Sequence, residues 1–192
     1  MSQPSFQLLG KLLLVISLPL YILDQISKWW VVKFFPEPPQ GYTGIHPDDA
    51  ITVIPGFFNL TRVHNQGVAF GFGNGTEWAP IVFLLVPALA VGLLLHFWKK
   101  GAFTTTSMKV ACALLFSGIA GNVTDRLLQG FQLSYLRDAS FWERFKAGYV
   151  VDFLDFTIPL INYRWPSFNV ADSCISVAAV LLVVSSFREE SS

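Results

Sequence analysis

S-G-I-A-G-N-V-T-D-R, residues 117–126, begins inside an apolar run and ends on an ionisable pair, Asp125 and Arg126. It belongs to a longer stretch, Val110 to Leu128, that is otherwise apolar. Gly118, Ala120 and Gly121 give that stretch a small-residue surface suited to close helix packing. A second polar intrusion, F-N-V-A-D-S at 168–173, opens the last apolar run. A carboxylate removed from water is costly, so acids at the ends of two apolar helices demand an explanation.

The solvent of the chain is set by its composition. Of 192 residues, 53% are hydrophobic and 14% charged, with a mean hydropathy of +0.50. A soluble domain normally carries about 25% charge, so the polar coat for a water-facing surface is missing. The reading is a membrane protein in a single domain, residues 1–192. Lys11 precedes an apolar stretch that continues through Trp30 to Val32 with no small-x-small cleavage site after it, which makes 12–32 an uncleaved first span. At 1.5 Å per residue it crosses a hydrocarbon core of about 30 Å. Pro19 is expected to kink it, and residues 1–10 are expected to fray. The other spans are 79–98, 110–128 and 170–187. A net charge of zero gives no support to nucleic-acid binding. Cys112 and Cys174 read as small buried hydrophobes, and the scattered His46, His64 and His96 make no zinc pattern.

Four spans place the segments 33–78 and 129–169 together on one side. Ile51 to Val63 is rich in aromatic and β-branched residues and reads as one or two short strands, as does Tyr149 to Phe156. The glycine-dense run from Asn65 to Gly75 lacks the spacing of a phosphate loop. Ser140 to Ala147 reads as a short amphipathic helix with Ser140 as cap and Glu143 three residues on. Trp29, Trp30, Trp78, Trp98 and Trp165 fall at span ends or in the loops beside them, where interfacial aromatics belong. The short link 99–109 holds Lys99, Lys100 and Lys109 and no acid, which puts it and both termini in the cytoplasm.

Asp24, Asp125 and Asp172 all fall on the side of the long segments, with Asn65, Asn122, Arg126 and Asn169. Asp24 and Lys28 share a helix face. Asp125 and Asp172 are the candidate catalytic pair. Two adjacent carboxylates share one proton, so one serves as base on a water while the other polarises a carbonyl. The structural alternatives are an ion pair for Asp125 with Arg126 and an N-terminal cap for Asp172. N-x-x-D occurs at both places, Asn122 before Asp125 and Asn169 before Asp172. A transporter or proton channel also uses carboxylates in spans, normally near the midplane and with internal repeats. A structural membrane subunit has no need of the polar cluster. A rhomboid-type serine protease needs a Ser–His pair, and the only span histidine, His96, is on the wrong side; a di-metal carboxylate site needs further histidines and a second glutamate set.

These motifs resemble one family over the whole chain: lipoprotein signal peptidase, or signal peptidase II. The resemblance rests on L-D-Q-I-S-K (23–28), N-Q-G-V-A-F-G (65–71), G-I-A-G-N-V-T-D-R (118–126), V-V-D-F (150–153) and F-N-V-A-D-S (168–173), in that order. It implies an all-α membrane protein of four transmembrane helices with a small extracytoplasmic β-rich cradle and a loop or helix lid. It implies an aspartic endopeptidase of the bacterial inner membrane, acting toward the periplasmic face without a metal or cofactor. The substrates would be diacylglyceryl-modified prolipoproteins, cut before the lipid-modified cysteine. Globomycin-type cyclic peptides would inhibit it. The dyad would fall on Asp125 and Asp172, with Asp24, Lys28, Asn65, Gly67, Asn122, Arg126, Asn169 and Ala171 in support. Two departures stand out: Ser117 where the family often has glycine, and longer outer segments at Pro36 to Asp49 and Phe131 to Ala147.

Overall fold

The computed structural model describes residues 5–39, 49–67 and 78–190. The glycine-dense run beyond Gly67, His46 and most of the insertion at 36–49 lie outside them. Helix α1 runs from Phe6 to Phe34, α2 from Ala79 to Lys99, α3 from Thr106 to Leu128 and a short α4 from Phe141 to Lys146; α5 runs from Val170 to Glu190. All but α4 contain stretches long and apolar enough to cross a membrane, so the chain is a multi-pass membrane protein.

Helix α1 begins earlier than its hydropathy suggests. Ser5 caps it by accepting the Leu8 amide, so residues 6–10 are helical rather than frayed, while residues 1–4 lie outside the described residues. Pro19 is accommodated by a π-helical turn over Leu13–Ser17, closed by the Leu18 amide on the Leu13 carbonyl. Such a turn is a recognised way of relieving a strained ladder. Helix α2 ends in the left-handed cap that glycine permits: Gly101 has φ +74, and the Ala102 amide reaches back to the Phe97 carbonyl.

Two compact units are present. The first combines residues 1–24, 85–122 and 170–192. Leu9, Leu94, Trp98, Phe103, Met108 and Cys112 form its buried apolar core. Gly118 lies against the Ala171 carbonyl and Ile175, and an added Cβ would come within 2.5 Å of both. The small-residue surface read from the sequence is therefore a helix contact. The Ser17 hydroxyl donates to the Ala113 carbonyl at 2.6 Å, satisfying a polar group in an apolar setting.

The second unit combines residues 25–84 and 123–169. It holds an antiparallel sheet of β1 (Ile51–Ile54), β2 (Phe58–Asn65), β3 (Val150–Ile158) and β4 (Tyr163–Arg164), in that spatial order. The strands expected at 51–63 and 149–156 are present. The two-residue β4 is too short to show any periodicity in sequence. Phe58 stacks on Phe156 and Phe156 on Phe168. Arg164 makes a two-pronged contact with Asp155, which also accepts from Asn59.

Arg62 is buried, and its guanidinium donates to the Val32 and Phe35 carbonyls at the end of α1. Those carbonyls have no partner within the helix, so the strand supplies one. The Nε of Arg62 donates to His64 Nε2 at 3.0 Å, and His64 stacks on Tyr149. A histidine that accepts from a guanidinium must be neutral. Burial, reinforced by Arg62, lowers its pKa from 6.5 to about 3. The depressed value stabilises the fold above 6.5, and that stabilisation is lost as pH falls from 6.5 toward 3. The unfolding midpoint is expected to drop across this window, and His64→Asn is expected to flatten the drop. An unchanged pH profile in the variant contradicts the assignment.

Candidate active site

The acids are set into the two units in different ways. In the first unit, Asp24 is fully buried and accepts the Ala171 amide at 2.9 Å. Ala171 stands in the first turn of α5, where backbone amides lack partners and the helix dipole favours negative charge. Asp24 thus caps α5 from another helix. Gly121 lies against the same carboxylate: an added Cβ would fall on Asp24 Oδ2 and within 3.0 Å of the Ala171 Cβ. Gly121→Ala is expected to cost about 1–3 kcal/mol, as overpacking does, read as a lower unfolding midpoint. An unchanged midpoint contradicts this packing. Asp172, also in the first turn of α5, is half-buried and accepts from Asn122 Nδ2 at 2.8 Å.

In the second unit, Asp125 is buried and tightly engaged. Its Oδ2 lies 2.9 Å from Lys28 Nζ and accepts the Val151 amide at 3.0 Å, while Oδ1 accepts from Gln25 at 3.2 Å. Lys28 is 1% exposed, so the ion pair is shielded from water. The tie to Val151 fixes the start of β3 to α3. One residue on, Asp152 is held by two asparagines: Asn169 donates to Oδ1 at 2.7 Å and Asn65 to Oδ2 at 2.9 Å. Asn169 is fully buried and also donates to the Val151 carbonyl.

Asn65 is itself positioned. Its side-chain oxygen accepts the Gly67 amide, making a local turn. Arg126 donates to the Gly67 carbonyl at 2.6 Å and to the Gln66 carbonyl at 3.4 Å, with its guanidinium 4.6 Å from the Phe83 ring centroid. Arg126 thus orders the turn that presents Asn65. The sequence pairs each asparagine with the aspartate one helical turn away. In the structure Asn122 and Asn169 each reach a carboxylate on a different element, Asp172 and Asp152.

Asp152 is the functional candidate that sequence reading passed over. It stands in V-V-D-F, which carries part of the family resemblance, but it lies on a strand rather than in a span. The sequence shows a carboxylate between Val151 and Phe153 on an expected strand; the structure adds that this part of the strand is buried, with Asp152 2% exposed. Among the described residues, no three His, Cys, Asp or Glu side chains are grouped to hold a metal ion.

Fold and side chains define a polytopic helical membrane protein that presents carboxylates, each set by asparagine amides, from a helix start and a small sheet. The model of the signal peptidase (SPase) II family matches residues 16–188. A lipoprotein signal peptidase of Aeromonas hydrophila is 37% identical over 175 residues, covering 88% of this chain and 84% of that protein. One from Alteromonas mediterranea is 35% identical, over 95% and 84%. A solved structure described as a bacterial membrane enzyme, obtained by the in meso method at 2.3 Å, superposes with a TM-score of 0.71. It is 28% identical, covering 93% of this chain and 89% of its own. The chain belongs to the signal peptidase II family, and it is a protease.

Proposed function

We propose that this protein removes the signal peptide from diacylglyceryl-modified prolipoproteins, cutting before the lipid-modified cysteine, with Asp152 and Asp172 as the reacting carboxylates. Family membership supports the reaction class, and the relatives are named for lipoproteins. The observation that carries the residue assignment is the contrast between Asp125 and Asp152. Asp125 has Lys28 and a backbone amide as fixed partners, which suits a structural ion pair. Asp152 is oriented by side-chain amides on both oxygens, Asn169 on Oδ1 and Asn65 on Oδ2, which hold the carboxylate in place. Asn169, which orients Asp152, precedes Asp172 by three residues of chain.

In this reading the pair carries one proton. The ionised member takes a proton from water, the water oxygen attacks the scissile carbonyl, and the protonated member stabilises the developing oxyanion. The proton taken from water then passes to the leaving amine. Asn122 and Asn65 keep the two carboxylates aimed, Asp24 holds the start of α5, and Lys28 with Asp125 holds the start of β3. A lipid-modified substrate fits such a site because its signal helix lies in the bilayer and its modified cysteine at headgroup level. Lysines 99, 100 and 109 in the short link support termini in the cytoplasm, with the chemistry at the periplasmic face of the inner membrane. Globomycin-type cyclic peptides are the inhibitors this reading expects.

The test uses purified protein in lipid with a diacylglyceryl-modified precursor and its unmodified counterpart. Cleavage of the modified precursor alone, yielding a product that begins at cysteine, supports the proposal. Equal cleavage of both precursors, or cleavage elsewhere, overturns the substrate assignment.

A further inference from the structure

Residues 129–148 form an excursion that the proposed chemistry does not use. It leaves the end of α3 at Gln129 and returns at Gly148. Its neck is closed by glycines: a Cβ on Gly148 would fall on the Arg126 carbonyl, and one on Gly130 on the Arg144 carbonyl. Glu37, three residues past the end of α1, accepts both the amide and the hydroxyl of Ser134 at 3.2 Å. The excursion is therefore tied to the ends of two membrane-spanning helices.

Its interior is built. Leu133 is 2% exposed, Arg144 donates to the Phe131 carbonyl at 2.5 Å, and α4 carries a full capping box between Ser140 and Glu143. Hydrogen bonding from Ser140 holds the Glu143 carboxyl below the usual range, so it stays charged. What faces out is aromatic. Trp142 is 66% exposed and Phe141 59%, and they form one cluster with Phe145 and Phe131. On a helix of 3.6 residues per turn, Phe141, Phe145 and Trp142 share one arc, Lys146 borders it and Glu143 faces away.

We propose that this excursion is an interfacial anchor whose Phe141–Trp142 face sits at the phospholipid headgroup–acyl boundary, with Lys146 and Arg137 among the headgroups. Exposed aromatics beside basic side chains are what that boundary favours. The covalent exit from α3 and the Glu37 tie from α1 place the excursion at membrane-span ends, which makes lipid the occupant rather than a soluble partner. The excursion runs directly into β3, so the anchor also steadies the strand that bears Asp152.

The experiment reconstitutes the full chain in phosphatidylglycerol-containing vesicles, with or without lipids brominated near the top of the acyl chain. The emission of the intact chain minus that of Trp142→Phe isolates Trp142. The anchor predicts a blue-shifted difference spectrum that loses most of its intensity with brominated lipid and little with aqueous iodide. A red-shifted difference spectrum that ignores brominated lipid and is quenched by iodide overturns the anchor and leaves the aromatic face to water or to a protein partner. Neither outcome depends on which aspartates react.

Discussion

Asp152→Asn and Asp172→Asn are each expected to abolish cleavage, by about 10³-fold or more, without unfolding the protein. The amide keeps the size of the carboxyl and one acceptor oxygen: at 172 it still accepts from Asn122, and at 152 it keeps one of the bonds from Asn65 and Asn169 while its NH2 faces the other donor, which lowers the midpoint without abolishing the fold. What it cannot do is take a proton from water or share one with its partner. Loss of rate in a protein that stays folded is therefore the signature of a reacting carboxylate. Normal cleavage by either variant returns that aspartate to a structural role.

Lys28→Met is expected to destabilise the protein by about 3–5 kcal/mol, because it leaves the Asp125 carboxylate buried without its cation. The same variant combined with Asp125→Asn removes the uncompensated charge while keeping an acceptor for the Val151 amide. The double variant is expected to regain most of the lost midpoint, since a buried ion pair replaced as a unit costs little. Equal instability of the single and double variants contradicts the pairing, as does a Lys28→Met protein that melts like the unaltered one.

The four spans were legible because apolar runs of this length have few other uses, and the hydrophobic pattern needs no knowledge of contacts. The strands at 51–63 and 149–156 were legible from β-branched and aromatic residues. The capping box of α4 was readable from Ser140 and Glu143 alone. Partnerships were not. Lys28 pairs with Asp125 on α3, and Asp24 caps the start of α5. Ion pairs and caps of that kind join residues far apart in the chain, so spacing carries no trace of them. Asp152 escaped for a different reason: acids are conspicuous in apolar helices, whereas on a strand the same cost is visible only once burial is known. The π-helical turn before Pro19 was hidden because proline announces a disturbed ladder without saying how it is relieved.

The central claim separates Asp125 from Asp152, and single-turnover cleavage measured on both asparagine variants tests it most directly. The substrate is one diacylglyceryl-modified precursor, and the unfolding midpoint of each preparation is recorded beside the rate. The account predicts that Asp152→Asn stays folded and does not cut, whereas Asp125→Asn melts lower and its folded fraction still cuts. A stable, inactive Asp125→Asn protein beside an active Asp152→Asn protein would contradict it and make Asp125 the partner of Asp172.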